Sequence, residues 1–454
     1  MNITMLVSRL FKLFIPSNIE KIAKASGFMK RHSKLLPETF AKVMTLGLLD
    51  SKNITEEVLV TKCAMVQNEV SLTKQAIGSR IQNSIPFLKE LLKSAFSIIY
   101  DNALGTHSSS LLKFFSDVKI LDATTISLPD KVADDYTGMG GRNAKASLKI
   151  QALYSVISNS MTYFDITSGV VHDTTALPNI IETLSEKELF MADLGYFDTN
   201  QLRKIGEKSF FVSRIKTNTK VFDAVSEKHS IYKHINTTKL LKSSTDYIDK
   251  EVYIGTDSSN KLNVRLVGTK LPDSVAHKRI QKAIANNGGN SISDEKREIL
   301  HWNLMITNIS KDTLNTRIIA QLYRIRWQIE LLFKVFKSTF SIDKLHVSKT
   351  KYVEAILYGR LVGILLTMPL YDGVNTSMLF NKGRGVSMQR FYNSLSSRLS
   401  QIYAIKKVTL HTYYTFGDII LEIGNKTLHE KRKRKTTYAR IESYLNEILE
   451  IGKT

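Results

Sequence analysis

The spacing of apolar residues changes character along this chain, and the changes predict its main elements. Up to about residue 110, apolar positions recur at helical spacing, as in 18–23 and 85–100. From residue 117 the pattern becomes that of strands, because 118–129 is rich in β-branched residues and ends at a proline. The sequence therefore predicts a helical N-terminal region followed by a β-containing core.

The order of elements after residue 117 predicts one particular core. We expect three strands, a helix, a strand, a helix and a strand, at 118–129, 147–158, 161–170, 173–185, 189–197, 199–208 and 210–215. This is the order of a ribonuclease-H-like fold. Asp173 is interpreted here as the cap of the first helix.

The core pattern is then interrupted. Residues 246–255, 261–270 and 299–309 read as strands of a β-rich insertion, and helices are expected at 314–340 and 352–371. The predicted fold class is mixed α/β: a ribonuclease-H-like core with a β-rich insertion and helical terminal regions. The predicted domains are a helical DNA-end-binding domain (1–110), the first part of the core (111–215), the insertion (216–309), the second part of the core (310–372) and a helical basic C-terminal region (373–454).

The predicted helix at 314–340 carries an unusual polar face. At 100° per residue, one side gathers Tyr323, Arg326, Trp327, Glu330 and Lys337, and apolar residues fill the other. A carboxylate among cations suits a metal-dependent enzyme that acts on a nucleic-acid backbone. An ordinary amphipathic helix with solvated charges gives the same periodicity.

Two further carboxylates interrupt apolar strands. Asp122 follows Ile120-Leu121, and Asp193 follows Met191-Ala192. A carboxylate in such a setting is costly to bury unless it is paired or bound to a metal. Taken singly, each is more often a cap or an ion-pair partner, so their significance depends on their occurring in order with Glu330.

Composition narrows the choice of partner. Lys and Arg number 64 against 42 Asp and Glu, which gives a net charge of +22 and favours a polyanion such as nucleic acid. The single cysteine, Cys63, excludes a disulfide framework within the chain and a multi-cysteine zinc site. The longest apolar run, 361–371, is too short to span a bilayer, so we expect a cytoplasmic protein with no membrane partner.

The spacing Tyr-(2)-Arg-(3)-Glu-(6)-Lys, at Tyr323, Arg326, Glu330 and Lys337, resembles the signature of DDE transposases of the insertion-sequence family four. The resemblance spans roughly residues 14–435. It implies that Asp122, Asp193 and Glu330 are the catalytic metal ligands, and that this fold carries out cut-and-paste DNA transposition. Carboxylate oxygens select Mg²⁺, with Mn²⁺ able to substitute, and three carboxylates can hold two ions about 3.5–4 Å apart.

The remaining site residues are expected to bind DNA. Arg326 and Lys337 would grip phosphates, and Tyr323 would donate to a phosphate or orient Glu330. The resemblance also implies a DNA hairpin intermediate with tryptophans holding a flipped base, which makes Trp302 and Trp327 candidates. The alternative of a core indole has equal weight for Trp302 and less weight for Trp327. Two further candidate DNA contacts complete this set: Arg142, in a glycine-rich turn, and Arg80, in a segment at 71–82 that suits a recognition helix but is also common in helical bundles.

The expected partners are double-stranded DNA with terminal inverted repeats and target DNA, bound by a homodimer in a synaptic complex by analogy with the resembled family. Two alternatives remain at this point. One is a catalytically silent DNA-binding protein derived from a transposase, and the other is a ribonuclease-H-type nuclease without transposition. The sequence specifies neither the inverted repeats nor the target-site preference.

Overall fold

The computed structural model describes residues 3–51, 54–68, 70–103, 110–140, 145–226, 231–255, 261–345, 349–405, 408–430 and 446. The chain divides into two compact units. We call Met1–His107, Ala123–Val171 and Glu330–Lys433 the helical unit, and Ser108–Asp122, His172–Ile329 and Arg434–Thr454 the sheet unit. Each is described by itself.

The helices of the described residues have the following bounds: α1 (Ile3–Leu13), α2 (Pro16–Ala25), α3 (Pro37–Met44), α4 (Leu46–Leu49), α5 (Glu56–Val66), α6 (Lys74–Gln82), α7 (Ile85–Ala103), α8 (Leu177–Thr183), α9 (Thr199–Gly206), α10 (Thr237–Ser243), α11 (Asp273–Asn286), α12 (Asp294–Leu300), α13 (Thr316–Leu322), α14 (Trp327–Phe340), α15 (Thr350–Lys382), α16 (Met388–Ser396), α17 (Leu399–Tyr403) and α18 (Leu410–Lys426).

The strands of the described residues are β1 (Val118–Leu128), β2 (Ala146–Ser155), β3 (Ser160–Ser168), β4 (Leu189–Ala192), β5 (Phe210–Arg214), β6 (Val221–Ser226), β7 (Ile231–Ile235), β8 (Tyr247–Ile254), β9 (Leu262–Lys270) and β10 (Trp302–Thr307). The predicted order of core elements is present, and the mixed α/β fold is confirmed.

The sheet unit is built on parallel pairing. The first residues of β1 pair in parallel with β4, from Val118↔Leu189 to Leu121↔Ala192, and β4 pairs in parallel with β5. Strand β4 is buried throughout, as expected for a parallel strand that is covered on both faces. The short helix α9 connects β4 to β5, and Asp198 caps it by accepting from the N–H groups of Asn200 and Gln201.

The insertion is β-rich as expected, but its strands do not stand apart from the core. Strand β10 pairs antiparallel with β5 on one side and with β9 on the other, and β8, β6 and β7 follow outward. The insertion therefore extends the core sheet. An alternating pattern predicts a strand without saying which neighbour it pairs with, so the sequence could not show this continuity.

The predicted helix at 314–340 is interrupted in the structure. Helix α13 ends at Leu322, residues Tyr323–Arg326 form a 3₁₀ turn, and α14 begins at Trp327. A 3₁₀ turn has three residues per turn, so residues three apart lie above one another. Tyr323 and Arg326 consequently lie on the same side, with the guanidinium carbon of Arg326 5.9 Å from the centre of the Tyr323 ring.

The helical unit is organised around α15, which packs against α1, α4, α7 and α18. A Cβ on Gly359 would lie 1.9 Å from the carbonyl oxygen of Met44, so only glycine permits this close approach of backbones. The helix is longer than the predicted 352–371. It contains Pro369, ends at Lys382 and is capped by Gly383, whose φ is +62°.

By length and composition α15 could cross a membrane, but 89% of its most apolar window is buried inside the protein. Such burial is typical of the core helix of a globular domain. The same unit contains the antiparallel hairpin of β2 and β3.

Candidate active site

Strand register places the two aspartates side by side. The last parallel pair between β1 and β4 is Leu121↔Ala192, so Asp122 and Asp193 are the next residues on neighbouring strands. Adjacent strands lie about 4.8 Å apart, and residues in register share a face of the sheet. Strand β4 ends at Ala192, directly before Asp193 and earlier than the predicted 197, whereas β1 continues to Leu128, so Asp122 lies inside its strand.

A guanidinium lies between these two carboxylates. Arg326 Nη1 is 3.5 Å from Asp122 Oδ2, and Arg326 Nη2 is 3.9 Å from Asp193 Oδ1. The side chains of Arg326 and Asp122 are 14% and 16% exposed, whereas that of Asp193 is 47% exposed. The two acidic side chains therefore converge on one small region that already holds a positive charge.

Tyr323 contacts the backbone of the residue that precedes Asp193. Its hydroxyl donates to the carbonyl oxygen of Ala192 over 3.1 Å, and its side chain is buried. Burial is the main reason that the pKa of Tyr323 is raised to about 12, with Arg326 acting in the opposite direction. The Tyr323 hydroxyl is therefore bound to the last residue of β4, directly before Asp193.

Another carboxylate, Asp173, lies beside the same site. A Cβ on Gly195 would come within 2.8 Å of Asp173 Oδ2. Burial raises the pKa of Tyr196, and the negative charges of Asp173, Asp122 and Asp193 raise it further, in that order. The sequence suggested only a helix cap for Asp173. In fact His172 caps the 3₁₀ turn that Asp173 begins, and nothing in the local pattern distinguishes Asp173 from an ordinary capping residue.

The other two signature residues belong to the helical unit. Glu330 lies in the first turn of α14, where a negative charge is favoured by the helix dipole, and its side chain is half-buried. Lys337 lies in the last turns of the same helix, and its ammonium group donates to the carbonyl oxygen of Thr125 on β1 over 3.0 Å. Lys337 therefore joins α14 to the later part of that strand.

The two tryptophans differ in accessibility. Trp327 opens α14 and is 57% exposed, so its ring is available for stacking. Trp302 begins β10 and is 2% exposed, and its carbonyl oxygen accepts from Arg279. In this structure the Trp302 ring is part of the core of the sheet unit, which favours the core alternative left open by the sequence.

The two remaining candidate DNA contacts are Arg80 and Arg142. Arg80 is half-buried on α6, donates to Ser33 Oγ and to the carbonyl oxygen of Leu35, and lies over the ring of Phe28. These contacts give Arg80 a packing role within the N-terminal helices. Arg142 and the basic run 431–435 lie outside the described residues.

The donor chemistry at this site fits a divalent cation. Two hard oxygen ligands converge where a guanidinium now provides the balancing charge, and carboxylates are the side chains that Mg²⁺ and Mn²⁺ prefer. Among the described residues, no three of the His, Cys, Asp and Glu side chains are grouped closely enough to hold a metal ion. Asp122 and Asp193 thus provide part of a ligand set.

Comparison with known proteins is consistent with this geometry. The sequence model of the transposase DDE domain matches residues 113–366, which is more than half of the chain. This match contains both aspartates and the complete signature. The class defined by the fold and the site is therefore that of DDE transposases.

Individual proteins similar to this chain can be compared over most of its length. The transposase for insertion sequence element IS1151 of Clostridium perfringens is 30% identical over 369 residues, which cover 77% of each chain. The transposase for insertion sequence element IS231B of Bacillus thuringiensis subsp. berliner is 26% identical over 443 residues, 92% of this chain and 91% of that one. A solved structure described as a piggyBac transposase synaptic complex with hairpin DNA is 13% identical, with a TM-score of 0.43 over 95% of this chain and 87% of that chain.

This chain belongs to the DDE transposase family of insertion sequences, and its function is DNA transposition. It is accordingly an enzyme of the polynucleotidyl transferase type. Members of this family generally use divalent metal ions.

Proposed function

We propose that this transposase cuts and rejoins DNA at a two-metal site formed by Asp122, Asp193 and Glu330, with Mg²⁺ as the natural ion and Mn²⁺ as a substitute. The observation that carries the proposal is the convergence of Asp122 and Asp193 on the guanidinium of Arg326. Glu330 follows Arg326 by four residues, and four residues are about one helical turn.

Each residue has a distinct task in this proposal. The three carboxylates hold the ions, which when bound activate the attacking oxygen and stabilise the departing 3′ oxygen of an in-line displacement. Arg326 and Lys337 bind the phosphates beside the scissile bond through charge-assisted hydrogen bonds. Tyr323 orients Asp193 through the backbone of Ala192 and is a positioning residue.

One site can serve both steps of transposition, because the steps differ in the attacking oxygen. Water as the attacker gives strand cleavage, and a 3′ hydroxyl as the attacker gives strand transfer. We include a DNA hairpin between the two steps. The 3′ hydroxyl freed by the first cut attacks the opposite strand and displaces the 3′ oxygen of the flanking DNA, and a water later opens the hairpin. The exposed ring of Trp327 stacks on an extruded base of this hairpin. Because Trp302 is buried, it has no stacking role in this proposal.

The proposed substrates are the terminal inverted repeats of the element and a target duplex. The net charge of +22 favours extensive contact with phosphates. We further propose that two protomers join two DNA ends in a synaptic complex in the cytoplasm, and that the N-terminal helices recognise those ends.

A cleavage assay tests the proposal. The substrate is a duplex made from the DNA that flanks the coding sequence, incubated with full-length protein and Mg²⁺. We expect Asp122→Asn, Asp193→Asn and Glu330→Gln each to lower strand cleavage at least about a hundredfold, as when a group that stabilises the transition state is removed. Asp312→Asn is the matched control, since Asp312 is an exposed carboxylate, and it should cleave like the wild type.

Gel-shift binding to the same duplex separates the two alternatives. If the wild type binds this DNA but does not cleave it, the catalytically silent DNA-binding protein becomes the better description. If any of the three site variants cleaves like Asp312→Asn, that carboxylate is not a catalytic ligand. Cleavage without transfer of a precut 3′ end would instead indicate a nuclease.

A further inference from the structure

We propose that Arg326 acts as an internal cation that competes with the metal in the DNA-free protein. Its guanidinium holds the region between Asp122 and Asp193, and it leaves that region when a DNA phosphate offers it another partner. Metal binding and DNA binding are thereby coupled through one side chain. This inference rests on the proposed metal-binding role of Asp122 and Asp193.

The first support is geometric. Both terminal nitrogens of Arg326 are used, Nη1 towards Asp122 at 3.5 Å and Nη2 towards Asp193 at 3.9 Å. An ion that bridges the two carboxylates would need the same region. Both distances are longer than those of a tight ion pair, which are about 2.7–2.9 Å, so each of these two ionic contacts is weaker than a tight pair.

The second support is electrostatic. Asp122 and Asp193 follow an in-register parallel pair of residues, and two carboxylates so close together repel each other unless a cation lies near them. One guanidinium neutralises half of that charge. A divalent ion added beside it would face a positive charge at short range. Coulomb repulsion acts there because the side chains of Arg326 and Asp122 are largely shielded from water, whereas that of Asp193 is about half exposed.

The third support is the anchoring of the backbone at Arg326. The 3₁₀ turn Tyr323–Arg326 is fixed to β4 through the bond from the Tyr323 hydroxyl to the carbonyl oxygen of Ala192. The proposed exchange of partners at Arg326 therefore moves its side chain and leaves this anchored backbone in place. A phosphate binds a guanidinium through two parallel hydrogen bonds, which makes DNA a suitable alternative partner.

Linkage gives the functional consequence. If the metal and Arg326 compete for the two carboxylates, then drawing Arg326 onto DNA raises metal affinity, and metal binding raises DNA affinity by the same factor. The full ligand set is then assembled mainly on bound DNA. Unbound transposase would hold its metal weakly.

The test measures Mn²⁺ binding to DNA-free, full-length protein by electron paramagnetic resonance titration. We expect Arg326→Gln to bind Mn²⁺ about tenfold more tightly than the wild type, a change that corresponds to about 1.4 kcal/mol. Arg324→Gln is the matched control, because Arg324 lies on the same turn, is exposed and donates to Gln321 Oε1. It removes the same formal charge and should change Mn²⁺ affinity less than about twofold, since exposed charges are screened.

A second variant of Arg326 controls for misfolding of Arg326→Gln. Arg326→Met keeps an aliphatic stem against the Tyr323 ring, and it carries the same expectation as Arg326→Gln. If both variants bind Mn²⁺ no more tightly than Arg324→Gln, the competition does not exist and the inference is overturned.

Asp122→Asn separates this inference from the proposed function. A loss of Mn²⁺ binding in Asp122→Asn, together with tighter binding in the Arg326 variants, supports both. A loss in Asp122→Asn without a gain in the Arg326 variants overturns the competition alone. Unchanged Mn²⁺ binding in Asp122→Asn would refute the proposed metal site, and the competition inferred from it would also be refuted.

Discussion

Tyr323 and Arg326 perform different tasks although they lie on the same side of one short turn. Arg326 presents its charge to Asp122 and Asp193, whereas Tyr323 turns its hydroxyl to the carbonyl oxygen of Ala192. Because Ala192 immediately precedes Asp193, this bond fixes the end of β4 at the point where the carboxylate emerges. The phenol therefore acts on the site through the backbone.

Replacing Tyr323 with Phe isolates that bond. The change leaves the Ala192 carbonyl without this donor, so the free energy of unfolding in urea should fall by about 1 kcal/mol. Strand cleavage should also fall, because Asp193 is less firmly placed. Tyr247→Phe is the control, since Tyr247 is exposed and its hydroxyl accepts a surface bond from Arg317. Equal stability and equal cleavage in the two variants would mean that Tyr323 has no positioning role.

For single residues, the sequence indicated which side chains are candidates for the site better than it indicated which of them lie together. Asp122 and Asp193 could be found because each interrupts an apolar strand. Their adjacency depends on the register of β1 against β4, and register is a property of the pair of strands. For the same reason the sequence could not show that Arg326 lies between them.

At the scale of elements, α14 is followed by a turn that depends on a buried arginine. Arg360 is fully buried on α15 and donates to the carbonyl oxygens of Ser341 at 2.6 Å and Lys344 at 3.4 Å. Ser341 has a φ of +50°, which is unusual for a residue other than glycine. Burial lowers the pKa of Arg360 to about 10, and within the described part of the chain its Nε and Nη2 have no partner. Arg360 therefore holds the end of the helix that carries Glu330 and Lys337.

Two substitutions remove the charge of Arg360 and differ in how much of its side-chain volume they keep. Arg360→Ala leaves a cavity and frees the two carbonyl groups, so we expect the free energy of unfolding to fall by about 3 kcal/mol. Arg360→Met removes the same desolvated charge but fills more of the space, so its loss should be clearly smaller.

The control is Arg390→Ala, because Arg390 also donates to carbonyl groups, those of Lys426 and Leu428, but lies at the surface. We expect it to cost less than about 1 kcal/mol. Urea unfolding of the three variants provides the comparison. If Arg360→Met is no more stable than Arg360→Ala, volume does not contribute to the role of Arg360.

The sequence predicted most elements but not their ends or breaks. The 3₁₀ turn at Tyr323–Arg326 differs from an α-helix by about 20° per residue, too little for four residues to reveal in an apolar pattern. Helix α15 continues beyond its predicted end at 371 to Lys382, and Val374 and Met378 in this added part are buried. Tertiary packing decided both cases.

At the scale of the whole molecule, buried and half-buried tyrosines link stability to alkaline pH. Burial is the largest cause of a raised pKa in each member of the following group: Tyr136, Tyr196, Tyr323, Tyr352, Tyr358, Tyr371, Tyr392 and Tyr403. The unfolded chain would titrate near its ordinary value of about 10. Each such group contributes stability that is complete below that value.

This linkage predicts the direction of the pH dependence. The folded state keeps its phenol protons at a pH where the unfolded state has lost them, so the free energy of unfolding should fall as pH rises above 10. For Tyr323 and Tyr352 the contribution is lost as pH passes through about 12. Absorbance titration of tyrosinate in native and denatured protein checks this. Coinciding titration curves would contradict the burial of these side chains.

The central claim is that Asp122, Asp193 and Glu330 share bound metal, and iron-directed cleavage of the protein backbone tests it most directly. Fe²⁺ replaces Mg²⁺ in the DNA-bound transposase, and peroxide with ascorbate then generates radicals that cut the chain close to the ion. If the three carboxylates share bound metal, the chain is cut in three segments, around residues 122, 193 and 330. All three cuts should be suppressed by excess Mg²⁺ and lost in Asp122→Asn. Cuts around 122 and 193 without any around 330 would contradict it.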